Sequence, residues 1–430
     1  MKYLYILFFP TLLLLSACSS SGDPVYVVET DDFLSLSFNM ATAGTVSSTR
    51  SDDQNHKETD SEFLDFENSI DMNDLAIFVF AKIADSASDD EKLVYKFTNL
   101  LNSNDAHIDV IGSKGNYFVD LMIPKDYLKN ILGYEIKPDG KKYIIFRMLI
   151  LANCSTSTTN TTDIWDTITG QTFSSIITQL AEWNFPMSDI YNADGGPNVE
   201  TLYKKNHCPM FGTNVFAVSE PDLFNSRLEH RINLGEVNLL RSLAKVRVVD
   251  NIQNKDTQGF PYIVEAEFLS SQNQASQLPA GASNYEDGLQ VHTPNIFQEN
   301  SNLTCEGTYK LGILPESWTM TPQSQRKGNV FIGFVPEQKI GNPNNNIEVG
   351  MPIFHIKIVN KKADETIENL DYYVPMTSYN GVNFSFGKNI LRNHIYTLSV
   401  NDFGAELKMQ VDVVPYRSCV LEPYFGLDRD

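Results

Sequence analysis

The first regular pattern along the chain is an alternation of apolar and small polar residues between Phe33 and Met40. One side of this segment carries Phe33, Ser35 and Ser37. The other side carries four large apolar residues: Leu34, Leu36, Phe38 and Met40. A period of two residues with one apolar side predicts a β-strand that packs this side on a core and exposes the other side to water.

The segment that follows, residues 41–57, is mostly small and polar and has no periodicity. These features predict an exposed loop that proteases can reach. The loop contains Arg50 and Lys57. A first strand followed by an ordinary surface loop is one interpretation, and the rest of the chain decides whether the loop has a further role.

Apolar runs broken by Asn, Gly, Asp and Pro predict further strands. They are Leu75–Phe80, Leu93–Phe97, Tyr117–Ile123, Tyr143–Asn153, Ile232–Leu234, Leu240–Asp250, Tyr262–Leu269, Asn329–Val335, Phe354–Val359, Tyr372–Met376, Ile390–Val400 and Leu407–Val414. Residues 165–183 have the mixed spacing of one helix or two short helices. The predicted fold class is therefore all-β with few short helices.

The run Leu240–Asp250 alternates charged and apolar residues in its later half. Lys245 and Arg247 fall on one side of an extended chain, and Val246 and Val248 fall on the other. This alternation predicts a strand whose charged face lies in water.

The N-terminus has the features of an export signal. After Lys2, an apolar run over residues 3–15 is too short to span a bilayer, and it ends in Leu-Ser-Ala-Cys at residues 15–18. The small residues before Cys18 resemble the lipobox of bacterial lipoproteins, in which the cysteine is acylated and becomes the mature N-terminus. An ordinary cleaved signal with an incidental cysteine is the alternative.

Length and charge limit the class of protein. With 430 residues the chain has room for two domains of ordinary size. We place the domain boundary near Asn238, because a long polar loop precedes it and a new series of strands begins there. A formal net charge of −21 without a basic cluster argues against nucleic acid as a partner.

Four cysteines remain beyond Cys18: Cys154, Cys208, Cys305 and Cys419. Their wide spacing, with no CxxC pair and no nearby histidine at ligand spacing, predicts no metal site. In an exported chain the alternatives are two disulfides, one disulfide or buried free thiols. With two domains, pairing Cys154 with Cys208 and Cys305 with Cys419 would keep each disulfide within one domain.

No catalytic motif occurs in the sequence. Gly-x-Ser-x-Gly, His-Glu-x-x-His and a Gly-rich phosphate loop are all absent. His207 is next to Cys208, but neighbours on a strand point to opposite faces, so we assign it a structural role. His394 is interpreted as a packed or surface histidine. We therefore expect neither enzymatic activity nor a cofactor.

Several motifs occur in a characteristic order: the signal ending at Cys18, the early strand and its loop with Arg50, the apolar run at 70–80, Cys-Pro-Met-Phe-Gly at 208–212, Leu-Arg-Ser-Leu-Ala-Lys-Val-Arg-Val at 240–248 and Leu-Arg-Asn-His-Ile-Tyr-Thr-Leu at 391–398. In order and spacing they resemble the fimbrillins of Bacteroidales, the FimA- and Mfa-type subunits of type V pili. The resemblance covers essentially the whole chain.

The resemblance implies two β-sandwich domains with a transthyretin-like topology, export as a lipoprotein, cleavage after a basic residue in the loop past the first strand, and polymerisation by strand exchange. The partners are other fimbrial subunits, either copies of this chain or accessory subunits. On this chain it implies a signal peptide at 1–18, a propeptide at 19–50 and domains at 51–237 and 238–430. Arg50 becomes the site for an Arg-specific protease, with Lys57 as the fallback. The precursor is then expected in the outer membrane and the mature subunit in a fimbrium on the cell surface.

Strand exchange requires a donor segment with the alternation of the first strand, because a removed strand leaves an apolar groove with unpaired backbone groups. The C-terminal segment has this pattern, with Leu407, Met409, Val411 and Val413 on one side. It is the candidate donor strand. The alternative is that it is only the last strand of the second domain.

Two functions from different classes follow. The first is a structural or accessory pilus subunit that contributes to adhesion. The second is a surface-anchored lipoprotein that binds a glycan or a host ligand and does not polymerise. A mature N-terminus after Arg50 favours the first, and an acylated Cys18 on the mature protein favours the second.

Overall fold

The structure is a computed structural model of the chain. The residues that it describes are 32–42, 65–84, 90–98, 106–110, 115–154, 171–181, 184–192, 207–227, 230–253, 255–256, 259–271, 274–276, 278, 307–313, 328–338, 352–375, 377–379, 384–386, 390–405 and 407–415.

Strands dominate these residues. In chain order they are β1 (Phe33–Thr42), β2 (Leu75–Ile83), β3 (Lys92–Thr98), β4 (Ala106–Val110), β5 (Asn116–Pro124), β6 (Tyr143–Ala152), β7 (Asn184–Pro186), β8 (Met210–Ser219), β9 (Ile232–Arg241), β10 (Leu243–Asp250), β11 (Tyr262–Ser271), β12 (Gln274–Ser276), β13 (Gly307–Lys310), β14 (Gly312–Ile313), β15 (Val330–Pro336), β16 (Ile353–Lys361), β17 (Ile367–Pro375), β18 (Thr377–Tyr379), β19 (Phe384–Phe386), β20 (His394–Asp402) and β21 (Lys408–Pro415). The α-helices are short: α1 (Asp65–Asn68), α2 (Lys125–Leu132), α3 (Phe173–Ala181) and α4 (Glu220–Asn225). The predicted all-β class with few short helices is confirmed.

The first part of the chain forms an eight-stranded sheet in the order β3-β2-β6-β8-β9-β1-β5-β4. β8 and β9 pair only through Met210–Gly212 and Leu239–Arg241. This short pairing divides the sheet into two four-stranded halves. Inward side chains of both halves, such as Met148 on β6 and Phe38 on β1, belong to one hydrophobic cluster. The halves therefore pack as the two layers of a β-sandwich.

The second part of the chain forms a five-stranded sheet, β14-β15-β10-β20-β21, and a four-stranded sheet, β13-β11-β16-β17. Val248 and Leu398 of the five-stranded sheet share a hydrophobic cluster with Phe268 and Phe354 of the four-stranded sheet. Phe268 and Phe354 meet edge to face with ring centroids 5.1 Å apart. These two sheets form a second sandwich.

Helix α3 covers the outer side of the first sandwich. Its side chains at Ile176, Ile177 and Leu180 pack with Phe78 and Phe80 of β2 in a separate hydrophobic cluster. The helix lies within the region 165–183 that the sequence predicts to be helical. No helix among the described residues is both long enough and apolar enough to cross a membrane.

The run Leu240–Asp250 is not the single strand that the sequence predicts. β9 ends at Arg241 and β10 begins at Leu243, and the two strands belong to different sheets. Arg241 still pairs with Met210 of β8, so the predicted boundary at Asn238 falls inside β9. Ser242 is the residue at which the chain leaves the first sandwich.

The prediction that Lys245 and Arg247 face water is wrong, because both side chains are buried. Lys245 Nζ lies 2.7 Å from Glu67 Oε1, and both side chains have 0% exposure. A buried charge is tolerated when a partner of opposite charge compensates it. Glu67 lies in α1, in the first part of the chain, so this ion pair also joins the two sandwiches.

Candidate functional site: the slot of the first strand

β1 occupies an interior position of the eight-stranded sheet. It pairs antiparallel with β5, from Phe33 opposite Pro124 to Ala41 opposite Asn116. It pairs parallel with β9, from Leu36 beside Ile232 to Thr42 beside Leu239. We call the space that β1 fills between β5 and β9 the β1 slot. Without β1, the slot would present two strand edges with unpaired backbone groups.

The inward face of β1 is fully buried, as the alternation in the sequence predicts. Leu34 is 1% exposed, and Leu36, Phe38 and Met40 are 0% exposed. Complete burial of four such side chains contributes on the order of 10 kcal/mol to the hydrophobic free energy. Their predicted exchange stays a prediction. These four side chains pack into the main hydrophobic cluster, which therefore lines the inward side of the β1 slot.

The outward face of β1 is not in water, contrary to prediction. Ser35 is 2% exposed and Ser37 is 3% exposed. The hydroxyl of Ser226, which precedes β9, bonds to both backbone polar groups of Ser35. It accepts from Ser35 N at 2.9 Å and donates to Ser35 O at 3.0 Å. Ser226 therefore extends the hydrogen bonding of β1 beyond the first residue of β9.

An ion pair joins the two strands on either side of β1. Arg231 Nη1, immediately before β9, lies 2.8 Å from Asp120 Oδ2 on β5. Asp120 is directly opposite Ser37. Since β1 lies between β5 and β9, this pair must cross β1 on its outward face, over the small serine side chains. We call it the Arg231–Asp120 clasp.

The clasp is partly shielded from solvent. The Asp120 side chain is 11% exposed and the Arg231 side chain is 42% exposed. Burial raises the pKa of the Asp120 carboxyl above its ordinary value, and the nearby charges of Arg231 and His107 oppose this rise. The negative charge of Asp120 is thus costly where it stands, and Arg231 compensates part of that cost.

Both ends of β1 lead into residues outside the described ranges. At its C-terminal end, Thr42 N donates to Gly115 O at 2.7 Å. The next described residue is Asp65, where α1 begins. Cys18, Arg50 and Lys57 therefore lie outside the described residues. The predicted lipidation and processing sites stay predictions.

The candidate donor strand forms β21, at the edge of the five-stranded sheet. It pairs antiparallel with β20, and Val413 is opposite Tyr396. Leu407 and Met409 are partly buried and pack against the core, whereas Val411 is 36% exposed. The segment is thus the last strand of its own sheet here, and its role as a donor stays a prediction.

The two cysteines of the first sandwich are buried thiols, and no disulfide joins Cys154 to Cys208. They belong to different hydrophobic clusters: Cys208 packs in the sandwich core, and Cys154 packs in the cluster beneath α3. Burial raises the pKa of the Cys208 thiol to about 12, so this thiol is protonated at neutral pH. Cys305 and Cys419 lie outside the described residues.

The two histidines singled out in the sequence take part in local hydrogen bonds. His207 Nδ1 lies 2.7 Å from Ser69 Oγ, and buried His394 Nδ1 lies 2.9 Å from Arg392 O. Within the described ranges, no group of three or more His, Cys, Asp or Glu residues could hold a metal ion.

The sequence did not single out Asp120, Ser226 or Arg231. Asp120 lies in the middle of β5, Ser226 directly follows α4, and Arg231 directly precedes β9. None of the three belongs to a motif. Only the pairing of β1 with β5 and β9 brings them together. A polar residue inside the apolar run 117–123, where Asp120 stands, is the one signal that could have drawn attention to the site.

No family model and no curated protein matches the chain. Among solved structures, the chain is similar to the tip fimbrial protein Mfa3 from Porphyromonas gingivalis, with 14% identity, coverage of 89% of this chain and 99% of that chain, and a TM-score of 0.44. It is also similar to a fimbrial assembly protein from Parabacteroides distasonis, with 12% identity, coverage of 89% and 98%, and a TM-score of 0.38. Both are fimbrial proteins of Bacteroidales, the group whose fimbrillins the sequence motifs resemble. At these TM-scores the likeness carries no argument about function.

Proposed function

We propose that the chain is a structural or accessory subunit of a cell-surface fimbrium, cleaved after Arg50 and assembled by exchange of β1. The observation that carries this proposal is the interior position of β1, the first described strand. β1 is hydrogen-bonded on both sides, and the segment that follows it, which the sequence predicts to be an exposed loop, contains Arg50. Cleavage after Arg50 would leave β1 held by noncovalent contacts alone.

Loss of β1 would convert the sandwich into a receptor for another strand. The edges of β5 and β9 would offer unpaired N–H and C=O groups, and the vacated positions of Leu36 and Phe38 would form an apolar groove. A segment with alternating apolar residues can satisfy both demands together. This is assembly by β-augmentation, with other fimbrial subunits as partners.

The chain after the cleavage loop is held in place independently of β1. Arg241 Nε donates to Glu67 O at 2.7 Å, and its guanidinium also donates to Asn68 Oδ1. Together with the Glu67–Lys245 ion pair, these contacts fix α1 against β9 and β10. The fold beyond residue 65 would therefore keep its anchorage when β1 leaves.

In this proposal the chain has a structural and adhesive role without catalysis or a cofactor. Cys18 carries the lipid that holds the precursor in the outer membrane, and an Arg-specific protease releases the subunit to the fimbrium. Cys18→Ser should abolish fatty-acid labelling of the precursor. Unchanged labelling would remove the lipid anchor from the proposal.

The decisive experiment is determination of the N-terminus of protein recovered from cells, for the natural chain and for Arg50→Ala. We expect the natural chain to begin at Ser51 and to occur in polymers, and the variant to keep its propeptide and stay unassembled. Lys57→Ala is the matched control and should be processed normally. A mature natural chain that keeps acylated Cys18 would instead support the anchored, ligand-binding lipoprotein.

A further inference from the structure

We infer that the Arg231–Asp120 clasp selects which strand can occupy the β1 slot, and that it excludes the C-terminal strand of the same chain. The inference rests on the proposed strand exchange and names the kind of partner that fits. The strand that replaces β1 must carry small side chains at two outward positions. It therefore comes from a different subunit.

The register of β1 shows what the clasp requires. Asp120 is opposite Ser37, and the parallel pairing of Leu36 with Ile232 brings Arg231 to the level of Ser35. The ion pair thus runs diagonally across the outward face between the two serines. Ser35 and Ser37 are 2% and 3% exposed, so little space remains above them. A longer side chain at either position would meet the clasp.

On the outward face, Ser37 Oγ also donates to Ile232 O at 3.4 Å, a contact that depends on the hydroxyl side chain. The contacts of Ser226 do not depend on the side chain of the strand. Ser226 bonds to the backbone N and O of Ser35, which any residue except proline offers. The inward side of the slot requires only that the strand carry large apolar residues at every second position, and this pattern is common in strands. Discrimination between candidate strands therefore falls on the positions of Ser35 and Ser37.

The C-terminal strand of this chain does not meet the requirement. When its apolar residues Leu407, Met409, Val411 and Val413 are placed inward, its outward residues are Lys408, Gln410, Asp412 and Val414. Each alignment that keeps the apolar face inward brings a long or charged side chain to at least one of the two serine positions. The chain is thus built to receive a foreign strand and to avoid self-polymerisation.

The first test uses the intact chain and does not depend on strand exchange. Ser37→Gln, Arg231→Ala and the double variant are compared by urea unfolding as a double-mutant cycle. We expect Ser37→Gln to destabilise the natural chain strongly and the Arg231→Ala chain much less. Asn39→Gln, on the same face of β1, is the control and should show no coupling to Arg231. If Ser37→Gln prevents folding of the natural chain, Ser37→Thr gives the same comparison.

The second test asks whether the clasp selects an incoming strand. The full chain is cut with an Arg-specific protease and mixed with labelled peptides of residues 33–42, of the same segment with Ser37→Gln, and of residues 407–416. We expect the first peptide to replace β1 and the other two to bind at least about tenfold more weakly. The Arg231→Ala chain should accept the Ser37→Gln peptide.

Two results would overturn the inference: equal uptake of the natural and Ser37→Gln peptides by the natural chain, or zero coupling in the intact-chain cycle. A cut chain that accepts no peptide, including residues 33–42, would instead overturn the proposed function and remove strand selection with it. In that case, coupling in the intact chain would still establish the clasp as a lock on β1.

Discussion

Buried charged side chains in this protein connect elements that are far apart in sequence. Lys245 and Glu67 form a fully buried ion pair between the two sandwiches. Arg241 is 0% exposed and bonds to Asn393 Oδ1 at 3.2 Å as well as to residues of α1. Such pairs add little net stability over apolar packing, but they are costly to break because the remaining charge is buried alone. They hold α1 against β9 and β10.

The first prediction concerns this pair. Lys245→Met should lower the free energy of unfolding by about 3–5 kcal/mol, because it removes the ammonium group that faces the buried Glu67 carboxylate. The measurement is urea unfolding followed by circular dichroism. The double variant Lys245→Met with Glu67→Gln should recover much of the loss. A loss in the single variant no larger than in the double variant would show that the charge of Glu67 is compensated elsewhere.

The second prediction concerns pH and Asp120. Because burial raises the pKa of its carboxyl above the ordinary 3.8, the folded chain binds this proton more readily than the unfolded chain. The contribution of Asp120 to stability therefore falls as pH rises through the interval just above that value. Asp120→Asn lacks this contribution, so its stability relative to the natural chain should increase across the same interval.

The measurement for Asp120 is the difference in unfolding free energy between the two chains from about pH 3 to pH 7. Asp364→Asn is the control, because hydrogen bonds from Thr366 lower the pKa of Asp364. The difference between the natural chain and Asp364→Asn should change with pH in the opposite direction. The natural chain should gain stability relative to this variant as pH rises through the interval below 3.8. Parallel curves for natural chain and Asp120→Asn would contradict the prediction.

At the scale of elements, β1 carries the hydrophobic contribution of an interior strand although it stands at the start of the described chain. Phe38 is among the largest fully buried side chains of the molecule. The pairing with both β5 and β9 means that β1 is needed for the continuity of the sheet. The release of a strand in this position is costly unless another takes its place, since the exposed core and backbone groups would otherwise be left in water.

The third prediction tests this dependence. Phe38→Ala should lower the unfolding free energy by about 3–5 kcal/mol, because it opens a cavity in the sandwich core. It should also speed the release of β1 after the loop is cut, followed by mass spectrometry of the freed segment. Phe224→Ala is the matched control, because Phe224 is 46% exposed. Equal effects of the two substitutions would show that β1 is not anchored by its inward face.

The elements themselves could be predicted from periodicity, but their neighbours could not. The alternation of Phe33–Met40 correctly predicts which side of β1 packs on the core. The burial of Ser35 could not be inferred, because its cover comes from Ser226, 191 residues away in sequence. For the same reason Lys245 looked like a surface residue, since Glu67 is 178 residues away. The break at Ser242 gave no signal because buried residues flank it on both sides.

At the scale of the whole molecule, the two sandwiches are joined by several kinds of contact. Tyr191 Oη, after β7, donates to Phe334 O at 2.6 Å and accepts from Phe334 N at 3.0 Å. β7 also pairs with β12, and one hydrophobic cluster runs through both sandwiches. The β1 slot of the first sandwich and the edge strand β21 of the second are thus parts of one connected body. In the proposed assembly this body would receive a strand at the β1 slot and offer β21 to another subunit.

The last prediction concerns the strand that is offered. Val411 lies on β21 opposite Leu398 and is 36% exposed, so Val411→Asp should cost the monomer about 1 kcal/mol or less. In the groove of a different subunit the same carboxylate would be buried without a partner, at a cost of several kcal/mol.

Assembly of the Val411→Asp chain should therefore fail while its monomer stays folded. The measurement combines gel analysis of dodecyl sulfate-resistant ladders from cells with circular dichroism of the purified monomer. Gln410→Asp places the same charge on the neighbouring outward position and should assemble normally. Val413→Asp, two residues further along β21, should behave like Val411→Asp. Ladders of natural strength would remove β21 from the donor role. An unfolded monomer would show that this strand is required by its own sheet.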